Sequence, residues 1–369
     1  MTNPWYTVEN VDEIPSPSLL IYPDRVEENI RRMIHLAGGV QRLRPHMKTN
    51  KLPEVIRMHL NQGITKFKCA TIAEAEMIAA CEAPDVLMAY QPVGPNVERF
   101  VELVKHFPDT AFSALADDAD TIRELSRAAV GAGVTLSLFL DLDVGMHRTG
   151  VAAGPDAVER YRLISTLPGL RAAGLHAYDG HLHETDLTLR TKLCNEAFES
   201  VARVRKDLAQ AGLEVPSVVA GGTPTFPIHA KRTDVECSPG TSVFWDWNYT
   251  ANLPDLDFLP AVLVLTRIVS KPGANRLCLD LGHKAIASEN PQPRVQLMGL
   301  PDTTAVGHSE EHLVLETSRA GGFSVGSHFY GMPWHICPTV ALHNEAVVIN
   351  NARADGRWQV VGRARKITI

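Results

Sequence analysis

Short apolar runs alternate with amphipathic runs along the first two thirds of the chain. Ser18-Leu19-Leu20-Ile21-Tyr22 reads as a strand. Asp24 then caps a helix whose apolar positions Val26, Ile30, Met33 and Ile34 recur every three or four residues. Further strands are expected at 66–70, 85–90, 111–114, 135–140, 172–178 and 217–221, with helical periodicity between them, as over 73–80, 97–106 and 119–132. Strand-helix units of this length predict a parallel sheet with right-handed crossovers. With the stretch around residue 45 counted as the first strand, there are seven through Gly221, and Val235-Glu236-Cys237 supplies an eighth. Eight units predict a closed TIM-type (β/α)8 barrel. No glycine-rich dinucleotide fingerprint follows the first strand, which counts against an open, doubly wound sheet.

After about residue 250 the pattern changes. Apolar stretches at 261–269, 276–280, 295–298, 313–315 and 346–349 are joined by Pro, Gly and Asn turns, and helical periodicity nearly vanishes. This part reads as an antiparallel β domain over 251–369, following a barrel over 25–250. No internal repeat, low-complexity tract or long linker is present.

With 369 residues, 45% of them hydrophobic, the chain can fill one or two sizeable cores. A net charge of -6, with no basic face and no long apolar run, excludes the usual signatures of nucleic-acid and membrane partners. The opening Met1-Thr2-Asn3-Pro4-Trp5-Tyr6 has neither a basic nor an apolar leader region. Six cysteines (Cys69, Cys81, Cys194, Cys237, Cys278, Cys337) are scattered without a CxxC pair. A cytoplasmic enzyme with reduced thiols is the expectation.

Barrel active sites lie at the C-terminal ends of the strands, so polar clusters there are candidate sites. Arg44-Pro45-His46-Met47-Lys48-Thr49-Asn50-Lys51 closes the first barrel strand. Neighbouring cations and burial lower an ammonium pKa, which makes Lys48 a candidate Schiff-base lysine. On its own, the stretch reads equally well as a basic surface strand. Gly221-Gly222-Thr223-Pro224-Thr225 follows another strand, and its backbone N–H groups and hydroxyls suit a phosphate dianion. An acidic turn with His147 and Arg148 closes a third, over 141–150. His176-Ala177-Tyr178-Asp179-Gly180-His181-Leu182-His183-Glu184 packs three histidines, a tyrosine and two carboxylates into nine residues, more than a core strand needs. Near the end stands His335-Ile336-Cys337. Alternate residues of a strand share a face, so this imidazole and thiolate can grip one ion. From the residues alone, a buried cysteine beside a surface histidine is the simpler account.

Arg-Pro-His-x-Lys-Thr-x-Lys over 44–51 resembles the cofactor-lysine motif of the fold-type III pyridoxal-phosphate enzymes. The likeness is nearest to the D-threonine aldolase and D-serine dehydratase branch, which is related to alanine racemase. It runs in order from Arg44 to Val340. It implies that Lys48 is the Schiff-base lysine of pyridoxal 5'-phosphate, with His46 and Tyr178 in the cofactor pocket. Gly221, Gly222 and Thr223, with Gly240 and Thr241, would hold the phosphate, and Arg148 would lie near the ring or its O3′. His335 and Cys337 match a divalent-metal site; the thiolate suggests Zn²⁺, while the aldolases often depend on Mn²⁺. Residues 1–24 would join the β domain. Asn50 stands where family members often carry histidine, which removes a basic side chain there.

The implied activity is a D-threonine aldolase, cleaving D-threonine or D-allo-threonine to glycine and an aldehyde. His181 or His183 would take the β-hydroxyl proton. The alternative is a D-serine or D-3-hydroxyaspartate dehydratase on the same cofactor and metal. A racemase fits less well, because alanine racemases lack the His-x-Cys pair. A homodimer acting on a small D-amino acid is implied. Two readings from other classes are a non-catalytic pyridoxal-phosphate binding protein, usually a single barrel, and a TIM-barrel metal hydrolase, which would show no cofactor absorbance.

Overall fold

A computed structural model describes residues 4–369; Met1, Thr2 and Asn3, the tip of the segment read as lacking a leader, lie outside the described residues. The chain forms two compact units. A barrel unit holds residues 31–48, 55–240 and 361–369, and a β unit holds the N-terminal segment through Ile30, residues 49–54 and 241–360. One short strand precedes the barrel in the chain, β1 (Ser18–Ile21). The helix after it opens at Pro23, so Asp24, read as its cap, is instead an acidic residue inside the first turn, favourable to the helix dipole.

In the barrel unit the strands are β2 (Lys66–Cys69), β3 (Asp85–Met88), β4 (Ala111–Ala116), β5 (Leu136–Asp143), β6 (Val151–Ala152), β7 (Leu170–Ala177), β8 (Val218–Ala220) and β9 (Glu236–Cys237). They pair in parallel in the order β2-β3-β4-β5-β7-β8-β9, with β6 beside β5. Helices follow as the periodicity predicts, and several begin at side-chain caps: Thr71 accepts from Glu74 N, Asp118 from Thr121 N and Asp186 from Leu189 N.

The expected first strand is not a regular strand. Residues 43–46 instead close the ring through two parallel bridges, Leu43 to Cys237 on β9 and His46 to Lys68 on β2. Pro45 has no N–H to give, yet its carbonyl accepts from Lys68 N at 2.9 Å, and Arg44 N and His46 N donate to Cys237 O and Pro239 O. Eight segments therefore complete the barrel. Its interior is filled by Leu87, Leu115, Phe139 and Val219. At its N-terminal rim Arg44 is 3% exposed and bonded to Asp85 (2.6 Å) and Glu236 (2.7 Å), with Lys66 on the other Glu236 oxygen. That side chain, expected beside Lys48, is instead a clamp across the strand starts.

In the β unit the strands after β9 are β10 (Val262–Gly273), β11 (Arg276–Leu279), β12 (Val295–Leu297), β13 (Thr304–His308), β14 (Leu313–Glu316), β15 (His328–Pro333), β16 (Glu345–Asn350) and β17 (Arg353–Gln359). The sheet order is β13-β14-β11-β10-β1-β16-β17, with β15 on β10 and β12 on β15. N-terminal β1 lies antiparallel to β10, Leu20 opposite Leu263, and parallel to β16, Leu20 opposite Val347. The N-terminal strand thus joins the later β strands, as the resemblance implies. Leu20, Leu263, Leu265, Tyr330, Val347 and Ile349 share its core.

Candidate active site

Parallel barrel strands are buried on both faces, so alternate residues point to the helices or into the barrel. On β2, Phe67 packs its ring against His59 of the helix Pro53–Asn61. Lys68, the next residue, stands in register with the interior Leu87 and therefore points inward. It is 1% exposed. Burial, then the nearby Lys48, pulls its ammonium down to about 7 against the pull of Asp141 and Asp179. Lys48 is half-buried, and its backbone N–H donates to His46 Nδ1 at 3.3 Å.

Three basic side chains surround one aromatic ring. Lys48 Nζ lies 5.8 Å, Lys68 Nζ 5.9 Å and Arg148 Cζ 5.0 Å from the centroid of Tyr178. Tyr178 follows β7, and its ring passes 2.2 Å from where a Cβ of Gly180 would stand. Asp141 and His176 are paired across β5 and β7, and His176 Nδ1 donates to Asp141 Oδ1 at 2.7 Å. Asp141 Oδ2 accepts from Thr149 at 2.8 Å. Burial holds the His176 imidazolium below its usual range despite Asp141. The two candidate bases differ: His183 is exposed, whereas His181 is half-buried, with Nε2 2.9 Å from the Cβ position of Gly145. His176 Nε2 and His181 Nδ1 are both buried without a partner.

Of the residues read as a phosphate cradle, three glycines donate their N–H groups within the barrel unit. Gly221 N donates to Ala177 O at 3.0 Å, Gly222 N to Thr225 Oγ1 at 3.3 Å and Gly240 N to Thr223 Oγ1 at 3.1 Å. Gly221 to Thr225 and Gly240 belong to the barrel unit, whereas Thr241 belongs to the β unit. Under the loop, Asp179 accepts from Thr225 Oγ1 and His229 Nε2, each at 2.8 Å. Asp179, Cys194 and His229 are the one grouping of three or more metal-type side chains among the described residues.

In the β unit, His335 and Cys337 do not alternate along a strand. His335 caps the helix Ile336–Leu342 and Cys337 lies in its first turn, where Pro338 needs no hydrogen-bonded N–H. A helix start still lets both reach one point. Burial works against the His335 imidazolium, but hydrogen bonds to Cys337 and Glu289 outweigh it and lift it to about 9. His335 Nδ1 donates to Glu289 Oε1 at 2.5 Å, so the hydrogen bond to Cys337 falls to Nε2, the nitrogen that an ion shared with the thiolate would take in place of the proton. Cys337 Sγ lies 3.1 Å from Thr49 Oγ1 and 3.4 Å from Thr241 Oγ1. Asp246, buried and pushed up to about 6 by desolvation, accepts from Ile336 N. His343 Nε2 donates to Ala285 O at 2.8 Å.

Sequence reasoning missed Lys68, the His229–Asp179 pair and Glu289. Only Lys68 carried a signal: a lysine inside a strand that both faces bury cannot be a solvated one.

The alanine racemase N-terminal domain model matches residues 21–246, and the serine dehydratase domain model matches 261–349. The chain is 28% identical to a D-threonine aldolase of an Arthrobacter species, over 95% of this chain and 93% of that one. It is 27% identical to a 3-hydroxy-D-aspartate aldolase of Paracoccus denitrificans, over 96% and 93%. The crystal structure of D-threonine aldolase from Filomicrobium marinum superposes with a TM-score of 0.90 at 26% identity, covering 98% of this chain and 99% of that one. No helix among the described residues is long and apolar enough to cross a membrane.

Proposed function

We propose, from the premise that this chain belongs to the alanine racemase N-terminal domain family of fold-type III pyridoxal-phosphate proteins, that it is a D-threonine aldolase acting on D-configured 3-hydroxy amino acids. The relatives that match it over most of its length are lyases, both aldolases and dehydratases. The observation that carries the reading is the set of basic side chains around Tyr178: the cationic Lys48 and Arg148, and the buried amine of Lys68. A cation-rich mouth suits an anionic cofactor and an amino-acid carboxylate.

Pyridoxal phosphate fits the residues present. His176 Nε2 and His181 Nδ1 are buried polar atoms without a protein partner. A Cβ at Gly222 would crowd the Tyr178 ring at 3.1 Å. When bound, the cofactor supplies the electron sink for the bond broken at Cα. Lys48 carries the amine that would anchor it. Gly221, Gly222, Thr223 and Gly240 would border its phosphate, the three glycine N–H groups being engaged by Ala177, Thr225 and Thr223, and Arg148 would balance charge at the ring. His181 takes the proton from the β-hydroxyl, because its unpartnered nitrogen offers an acceptor and His183 is exposed. Loss of that proton favours cleavage of Cα–Cβ to glycine and an aldehyde. In the β unit, His335 and Cys337 would hold a divalent ion, which supplies Lewis acidity when bound. Their donor set, one imidazole and one thiolate, fits Zn²⁺ or a similar ion.

A dehydratase is the second reading, favoured by the serine dehydratase domain match over 261–349. Product analysis separates the two. Protein supplied with pyridoxal phosphate and Mn²⁺ is given D-threonine and D-serine in parallel. Glycine and acetaldehyde from D-threonine are expected, with little ammonia from D-serine. Keto acid and ammonia would sink the aldolase reading. A lysine-dependent cofactor absorbance that survives Lys48→Ala would sink the anchor assignment.

A further inference from the structure

Beneath the 221–225 loop lies a buried polar cluster that the proposed reaction does not use. Cys194 Sγ is 3.6 Å from Asp179 Oδ2 and 3.4 Å from His229 Nε2, and the latter two are 2.8 Å apart. By residue type the trio reads as a metal site. Arg232 decides otherwise. A guanidinium only donates, and its NH1 lies 3.2 Å from His229 Nδ1, which must therefore accept. The ring proton then sits on Nε2, aimed at Asp179, where a metal would need the lone pair. Burial pushes the Cys194 thiol up to about 12, so it too stands as a neutral donor. The cluster is an anion held by donors.

Its outward connections run to the loop. Thr225 Oγ1 donates to Asp179 Oδ1 at 2.8 Å and accepts from Gly222 N at 3.3 Å. Gly221 is left-handed, at φ 76. A Cβ there would stand 2.5 Å from His229 Cδ2 and 2.9 Å from Thr225 Oγ1. The glycine, the threonine and the imidazole therefore interlock, and Asp179 ties them to the end of β7. A fully buried carboxylate is costly unless paired, and an apolar side chain would fill the space more cheaply. What it adds is direction, because both oxygens are engaged and fix the angles of the loop.

We propose that Asp179 is the positioning residue of the 221–225 loop: fixed by His229 and Cys194, its carboxylate holds Thr225, and through it the Gly221–Thr225 backbone, in the conformation that receives a phosphate dianion. This inference rests on the reading of pyridoxal phosphate as the ligand. A loop already fixed in one conformation saves the ordering cost that a loose loop incurs on binding, so the effect falls on the phosphate and not on the rest of the cofactor.

The test compares pyridoxal phosphate with pyridoxal, which lacks the phosphate, by titrating cofactor-stripped protein and following the Lys48-dependent absorbance. Asp179→Asn keeps the shape but turns an acceptor toward the His229 N–H into a donor. Its Kd for pyridoxal phosphate is expected to rise on the order of tenfold or more, while that for pyridoxal stays within about twofold. Thr225→Val keeps the carboxylate cluster intact and is expected to show the same discrimination, which keeps the proposal testable if Asp179→Asn fails to fold. Equal losses for both ligands, or none for either, would overturn the proposal. So would a wild-type protein that loses about one equivalent of bound metal on Asp179→Asn, since the cluster would then be a metal site. If wild-type protein gives no Lys48-dependent absorbance with either ligand, the functional reading fails and this inference falls with it.

Discussion

Replacing Lys68 with methionine should make the cofactor-free protein more stable while impairing its function. The amine is enclosed in the barrel with no ion pair to a carboxylate among the described residues, and its folded-state pKa falls from 10.5 to about 7. At about 1.4 kcal/mol per tenfold change in proton binding, that fall corresponds to at most about 5 kcal/mol of destabilisation near neutral pH. Between about pH 7 and 10.5 the unfolded chain binds the proton and the folded chain does not, so wild-type stability rises with pH across that window. From pH 7 to 9.5 the Lys68 contribution improves by about 3 kcal/mol. Methionine has nearly the same reach and no proton to lose, so the variant lacks this gain. The assay is denaturant unfolding of cofactor-free wild-type and Lys68→Met protein at both pH values, read as the difference between them, which cancels other titrating groups. A variant no more stable at pH 7, or a wild-type deficit that fails to shrink as pH rises, would refute the placement of Lys68 as a buried amine without a carboxylate partner. Loss of cofactor absorbance or turnover in the stabilised variant would show that the protein keeps this lysine for its site, at a cost in stability.

His335→Ala and Cys337→Ala should each abolish metal dependence while the Lys48-dependent absorbance persists; full activity in both after chelation and dialysis would remove the metal assignment. Gly221→Ala places a Cβ in a left-handed conformation and against His229, a strain of about 1–2 kcal/mol before the overlap is counted, so its melting temperature should fall. An unchanged melt would mean that the loop relaxes freely.

The barrel strands were legible because each is a short apolar run followed by a 3.6-periodic helix. The first was not, because Pro45 reduces it to bridges. β15 and β17 escaped notice for a related reason. His328–Pro333 and Arg353–Gln359 carry Gly, Pro, Arg or Asp where a strand pattern wants alternation, and β17 lies at the sheet edge, mostly exposed. The His-x-Cys pair was found by composition but placed on the wrong element, since two residues cannot distinguish a strand from a helix start. The Asp179 cluster could not be read at all. Its members lie at 179, 194, 225 and 229, and only the crossover from β7 to β8 brings them together.

The place of β1 in its sheet bears on how the chain is made. Leu20 pairs with Leu263 on one side and Val347 on the other, so its second partner is 327 residues further along. At about 5–20 residues per second, a ribosome needs roughly 16–65 s to deliver that partner after Leu20 has been added. Throughout that interval Ser-Leu-Leu-Ile is an apolar strand with no native neighbour on that side, the kind of segment that pairs with other chains. Nascent copies on one message are therefore exposed to each other at their first strand, and yield in expression should depend on chaperone supply more than on the stability of the finished protein.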